Sequence, residues 1–204
     1  MPNPAVDFWL EFGSTYSYPA AMRIKALASA AGVNVRWRPF LLGAVFKSQG
    51  FSDSPFNLQE AKGVYMWRDL QRLCAAQGLG FRPPVPFPQP SILAARIALA
   101  GMDENWGEDF SRAVYQAEFA EGRQIGDAKI MIDLLAGLGV DPQQAMTKAL
   151  SDENKNKLRA QTDEALRIGI FGAPSFVVDG ELFWGNDRLE QALAWARAPG
   201  LASP

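Results

Sequence analysis

Three short segments carry the residue types through which this chain could do chemistry, each at a junction between an extended and a helical pattern. The first is Gly13-Ser14-Thr15-Tyr16-Ser17-Tyr18. A helix amino terminus offers unpaired N–H groups and a positive dipole end, which favour an anion such as a thiolate, carboxylate or phosphate. A serine there can donate its hydroxyl to that anion, although plain N-capping by Ser14 or Ser17 is the commoner role. The second is Phe171-Gly172-Ala173-Pro174-Ser175. An ordinary trans proline opening a strand is the default, since only about 5–6% of X-Pro bonds are cis. A cis bond would turn the Ala173 backbone outward, where it could pair with an extended peptide. The third, Trp184-Gly185-Asn186-Asp187-Arg188, could hold an amino-acid-like group or simply cap a helix. Asn57, Lys62 and Asp69 are further polar candidates, and Lys62 by itself reads as a solvated face residue.

What is missing narrows the chemistry. The 204 residues include no histidine, which removes Ser-His-Asp and Cys-His nucleophiles, histidine proton shuttles and nearly every structural zinc site. No metal centre is expected. The single cysteine, Cys74, forbids an intrachain disulfide and a CxxC pair. Any reaction must run on hydroxyls, carboxylates, lysines or a borrowed cofactor. Twenty Lys and Arg against 22 Asp and Glu argue against a nucleic-acid binder. Asp103, Glu104, Glu108 and Asp109 could form a catalytic carboxylate pair, but their setting at a helix start favours a solvated surface. No apolar run reaches the roughly 18 residues of a membrane span, and Met1-Pro-Asn-Pro-Ala lacks a basic n-region. A soluble, cytoplasmic protein is expected, and one free cysteine suits a reducing compartment.

At about 150 residues per domain, the length fits one large domain or one with an insertion. Val6 to Phe12 reads as a strand, Ser17 to Ala31 as a helix closed by Gly32, and Val33 to Phe40 as a second strand. Gly43 to Phe56 reads as irregular. Ala61 to Gln77 reads as a helix whose apolar face runs through Val64, Trp67 or Arg68, Leu70, Leu73 and Cys74. The proline cluster from Arg82 to Pro90 can be neither helix nor central strand. It reads as a rigid connection rather than a ligand for an adaptor domain. Helices are expected over Ser91–Gly101, Asn105–Ala120, Asp127–Leu138, Pro142–Leu150 and Glu153–Ile168, with Asp127 and Asp141 as caps. Ser175–Val178 and Glu181–Trp184 flank the hairpin dipeptide Asp179-Gly180, and Asn186-Asp187 can cap a last helix, Arg188–Ala198.

The assembled order is β-α-β, a helical block, then α-β-β-α, with a proline before the third strand. That order resembles an α/β, thioredoxin-like fold of the disulfide-isomerase branch, with a large all-helical insertion between its two halves. Residues 1–54 and 151–204 would form the thioredoxin-like domain and 55–150 the inserted one. Where that fold carries CxxC, this chain reads Ser14-Thr15-Tyr16-Ser17. The serine, with AKxxYMWRDLQR from Ala61 to Arg72, FPQPSILAAR, FGAPSFVV and WGNDRLE, resembles the kappa-class glutathione transferases and the related 2-hydroxychromene-2-carboxylate isomerases. YMWRDLQR points to the isomerase side.

The resemblance implies glutathione as cofactor and a small aromatic substrate of naphthalene-type degradation. It assigns Ser14 to the glutathione sulfur, Ala173 beside a cis Pro174 to the cysteinyl backbone, and Asn186 and Asp187 to the γ-glutamyl end. Trp184 would stand beside the pocket, while Asn57 and Lys62 would reach glutathione or substrate. A homodimer is implied, with no nucleic-acid or membrane partner. Glutathione conjugation to electrophiles and non-catalytic binding of thiol peptides stand as the alternatives. Disulfide exchange is excluded for this chain alone, because Ser14 and Ser17 cannot form a disulfide.

Overall fold

The structure, a computed structural model, describes residues 4–50 and 54–198. Residues 1–3, 51–53 and 199–204, which the expected domain limits include, lie outside the described residues. Among the described residues, four strands form one mixed sheet in the order β2-β1-β3-β4, where β1 is Ala5–Leu10, β2 Asn34–Pro39, β3 Ser175–Val178 and β4 Glu181–Trp184. β1 runs parallel to β2 and antiparallel to β3, and β3 turns back on β4 as a hairpin. The hairpin turn needs left-handed backbone at both central residues. Asp179 and Gly180 supply it, with φ of 48° and 91°.

Alternation along β1 divides the core in two. Val6, Phe8 and Leu10 face a large cluster shared with helix α1 (Ser17–Ala31) and the helical block. Phe8 sits between the Trp37 and Phe176 rings at centroid distances of 4.9 and 5.4 Å. Trp9 points the other way, into a smaller cluster with Phe40, Leu42, Val45, Ala165 and Ile170. Gly32 closes α1 at φ 65°, as expected. Pro19 is tolerated because it stands in the first turn, where its missing N–H has no intrahelical role.

Between β2 and β3 come α2 (Leu42–Ser48), α3 (Pro55–Leu58), α4 (Glu60–Ala76), α5 (Ile92–Met102), α6 (Gly107–Tyr115), α7 (Ala128–Gly137), α8 (Pro142–Leu150) and α9 (Asp152–Arg167). A π turn, Gln116–Ala120, continues α6. Asp127 accepts from the Lys129 N–H at 2.9 Å, and Asp141 accepts from Gln143 and Gln144, so both caps form as expected. After β4, a 3₁₀ turn over Asn186–Arg188 leads into α10 (Leu189–Arg197).

Three local expectations fail. The stretch from Gly43 is not wholly irregular: α2 forms because Leu42 and Val45, three residues apart, both bury against the Trp9 cluster. The buried face of α4 is Met66, Leu70 and Cys74 at i, i+4 spacing, while Val64 is exposed. Asn186 and Asp187 do not cap the last helix. Instead the Asn186 side-chain oxygen accepts from Arg23 Nη2 at 3.0 Å.

The proline cluster contains no helix or strand and has cis bonds at Val85-Pro86 and Phe87-Pro88. The acidic group takes the surface role: Asp103 pairs with Lys157, Glu104 with Lys148, and Glu108 and Asp109 with Arg112.

Candidate active site

β1 ends at Leu10, and the chain turns through Glu11-Phe12-Gly13 so that Ser14 stands just ahead of α1. The Ser14 N–H closes the turn on the Glu11 carbonyl at 3.1 Å. Neither Ser14 nor Ser17 caps α1 through its side chain; the cap position is Tyr16. Ser14 Oγ instead donates across 159 residues to the Ala173 carbonyl at 2.8 Å. The Ala173-Pro174 bond is cis, and Pro174 leads into the inner strand β3 beside Ser14, as the sequence motif implies. Ser14 is only 8% exposed, and its single hydroxyl proton is committed to that carbonyl.

This contact lies in the wall of a cavity of about 1260 Å³. Much of the remaining wall is aromatic, from Phe46, Phe56, Tyr65, Phe87, Phe171 and Trp184. Trp184 and Phe171 pack at a 5.0 Å ring separation. That packing depends on Gly172, because a Cβ there would fall 2.4 Å from Trp184 Nε1. Two ammonium groups, Lys47 and Lys62, stand on exposed residues of the lining. Lys62 Nζ is 5.6 Å from the centre of the Phe56 ring, within cation–π range.

Four of the expected site residues do not form that lining: Asn57, Pro174, Asn186 and Asp187. Asn57 is exposed in the short α3. Pro174 is buried, and its carbonyl accepts from the Gly185 N–H at 2.9 Å, which draws the Asn186 turn towards the start of β3. Asn186 is buried on Arg23, and exposed Asp187 pairs with Arg188 at 3.1 Å. Ser14, Lys62, Ala173 and Trp184 share the cavity.

Sequence reading missed several polar groups here. Tyr16 lines the cavity and donates its hydroxyl to Asp69 at 3.0 Å; burial and that carboxylate push its phenol well above the usual range. Glu11, 7% exposed, also lines the cavity. Ser91 Oγ donates to its carboxyl, as does the Gly13 N–H, yet burial outweighs both and raises its pKa. Glu118, on the π turn, is fully buried with neither oxygen hydrogen-bonded. Burial and then the nearby Glu11 carboxyl hold it neutral far above the ordinary glutamate range.

A signal for Glu118 exists in the sequence, four residues after Val114 and three after Tyr115 on the buried stripe. Glu118→Met should therefore stabilise the fold by about 1–3 kcal/mol, the usual cost of an unsatisfied buried polar group. A carboxyl whose pKa is raised on folding costs stability increasingly as pH rises past its unfolded value. The gain, measured by urea unfolding, should be larger at pH 8 than at pH 5. An equal gain at both would mean that Glu118 is not held protonated by the fold.

Among the described residues, no cluster of three or more His, Cys, Asp or Glu could hold a metal ion, and no helix is long and apolar enough to cross a membrane. The family model described as DSBA-like thioredoxin domain matches residues 5–194. A 2-hydroxychromene-2-carboxylate isomerase from Sphingobium xenophagum is 27% identical over 186 residues, covering 91% of this chain and 94% of that protein. A kappa 2 glutathione S-transferase from Caenorhabditis elegans is 29% identical over 214 residues, covering 98% and 95%. Among solved structures, a 2-hydroxychromene-2-carboxylate isomerase superposes with a TM-score of 0.85 at 24% identity, over 94% of this chain and 93% of the other; that likeness establishes the fold.

Proposed function

The chain belongs to the DSBA-like thioredoxin domain family, and from that premise we propose that it is a glutathione-dependent isomerase interconverting 2-hydroxychromene-2-carboxylate and trans-o-hydroxybenzylidenepyruvate. The observation that carries the reading is the Ser14 hydroxyl on the Ala173 carbonyl, in the wall of a large aromatic cavity. Two relatives, one named a 2-hydroxychromene-2-carboxylate isomerase and the other a kappa glutathione S-transferase, each matching nine-tenths or more of the chain, support it.

The residues fit glutathione. At about 1260 Å³ the cavity exceeds the usual 300–1,000 Å³ of a small-molecule site, leaving room for a tripeptide and an aromatic acid together. When bound, glutathione would supply a thiolate that adds to the conjugated double bond and leaves again, itself unchanged. The protein's part is to keep that sulfur ionised and aimed. A free thiol has a pKa near 8.5, and a hydroxyl donor beside a helix start favours the anion. Ser14 can give its proton to sulfur only by turning it away from Ala173. The Ala173 carbonyl, a peptide acceptor at the wall, would then take the cysteinyl N–H in its place. Trp184, Phe171 and Lys62 would wall the site, with Lys62, and Asn57 from outside the lining, reaching glutathione or substrate. Cytoplasmic location, a homodimer and the 1–54/151–204 and 55–150 division go with this reading.

Asn186 and Asp187 are assigned the γ-glutamyl end, far from the sulfur. Contacts equally strong before and during reaction change affinity without changing the saturated rate. Asp187→Asn should thus raise the half-saturating glutathione concentration several-fold and leave the saturated rate within a few-fold. A collapse of the saturated rate with an unchanged half-saturation point would remove Asp187 from the anchor.

The deciding experiment follows the absorbance of 2-hydroxychromene-2-carboxylate with and without glutathione. Turnover that requires glutathione without consuming it supports the isomerase. Consumption of glutathione into an adduct would favour the kappa-class transferase, and binding without turnover a thiol-peptide binder.

A further inference from the structure

We propose that Glu11 is a catalytic residue that keeps its proton and lends it, as a hydrogen bond, to the substrate oxygen on which negative charge develops. This rests on the isomerase reading. As the nucleophile bonds to the benzylic carbon, the carbon–carbon π pair moves one bond towards the ketone and the ketone oxygen takes up negative charge. When the nucleophile leaves, the pair returns, and Glu11 has neither gained nor lost a proton.

The placement supports the role. Glu11 and Ser14 share one tight turn and one cavity wall, and a Cβ added at the intervening Gly13 would lie 3.2 Å from Glu11 Oε2. Three neighbouring donors of that wall are already engaged. Ser91 gives its proton to Glu11 itself, and Tyr16 gives its own to Asp69. The Gln89 amide is committed in both directions, to the Arg123 carbonyl and the Ile125 N–H. Lys47 and Lys62 stand on exposed residues, where water weakens a charge. A neutral carboxylic acid in a dry wall is a strong donor to a developing oxyanion.

Burial, rather than a neighbouring charge, keeps Glu11 neutral, and the two titratable groups packed against it are themselves uncharged. Tyr115, on α6, donates its hydroxyl to the Glu11 backbone carbonyl at 2.9 Å, and burial keeps its phenol protonated. Glu118, on the π turn, is the harder of the two acids to ionise, having no hydrogen-bond partner. It therefore still carries its proton when Glu11 titrates.

Two measurements test this. The first needs no activity: ¹³C NMR of the glutamate side-chain carboxyls in the full chain, with Glu11→Gln to assign the Glu11 signal. Glu11 should titrate above the ordinary glutamate range, unchanged in Glu118→Gln. Titration at an ordinary glutamate pKa overturns the proposal. So does a clear downward move in Glu118→Gln.

The second is the pH profile of the saturated rate. The rate should fall as pH rises through the Glu11 titration seen by NMR, and this limb should vanish in Glu11→Gln, which keeps a donor but cannot ionise. Glu11→Leu, with no donor, should lose about 10²-fold in saturated rate, as for removal of one preorganised donor. Glu11→Gln should recover most of it. A Leu variant as active as Gln, or a limb surviving in Gln, overturns the proposal. If wild type shows no glutathione-dependent isomerisation, the functional reading falls instead, while the NMR titration still reports on Glu11.

Discussion

Replacing Ser14 with alanine is expected to lower the saturated isomerisation rate by roughly 10²–10³-fold while changing glutathione affinity far less. On the proposed reading the two effects part because the sulfur would be one contact among many in binding, whereas the hydrogen bond to it would act on reactivity. In the free protein Ser14 Oγ–H is spent on the Ala173 carbonyl. Glutathione binding would, on that reading, exchange that bond for one to sulfur, with little net energy gained in the ground state. The variant also spares the fold, because Ser14 sits in a loop beside the cavity. The measurement is a glutathione titration of the initial rate, with affinity read independently by calorimetry. Full activity in Ser14→Ala would transfer the role to another group, with buried, cavity-lining Thr15 the nearest.

The largest stability effect is expected at Gly107, the first residue of α6, where α5 and α6 meet. A Cβ there would stand 2.6 Å from the Met102 nitrogen and 2.7 Å from the Ala98 oxygen and the Gly101 carbonyl carbon. These are backbone atoms of a buried helix, so no rotamer change relieves the overlap. Gly107→Ala should cost about 3 kcal/mol, the upper end for overpacking. For a chain of this size that is a fall in melting temperature of roughly 6–12 °C. Gly137→Ala is the control, since a Cβ at that helical glycine meets nothing within 4 Å. Calorimetry on the two variants should show a loss at 107 and no loss at 137. Similar melting points would mean that α5 and α6 are not locked together at this corner.

Much of this was legible beforehand because it depends on local chemistry. Asp127 and Asp141 announce two helix starts, and Asp179-Gly180 announces the hairpin, through backbone preferences that act over four residues. The helix α2 was harder to read, because Leu42 and Val45 are apolar for the sake of Trp9 and Ile170, which lie far away in sequence. Ser14 could be singled out as a candidate, but its true partner is 159 residues away, and local preference suggested a cap instead. Glu11 escaped for a similar reason. In VDFWLEF it looks like the solvent-facing acid of a strand, and only the loop beyond Leu10 and the arrival of Ser91 put it under cover. Asn186 shows the opposite failure, a good capping residue drawn away from its helix by Arg23.

The place of the single cysteine in the core shelters it from electrophiles. Cys74 is fully buried on α4, and burial raises its thiol to about 11. Alkylation needs a thiolate that an electrophile can reach, and this thiol is neither ionised nor reachable while the chain is folded. A catalyst of conjugated ketones works among molecules that alkylate sulfur. By keeping its own thiol sealed in the core and its reactive sulfur on an exchangeable cofactor, such a protein would escape inactivation by the compounds it handles.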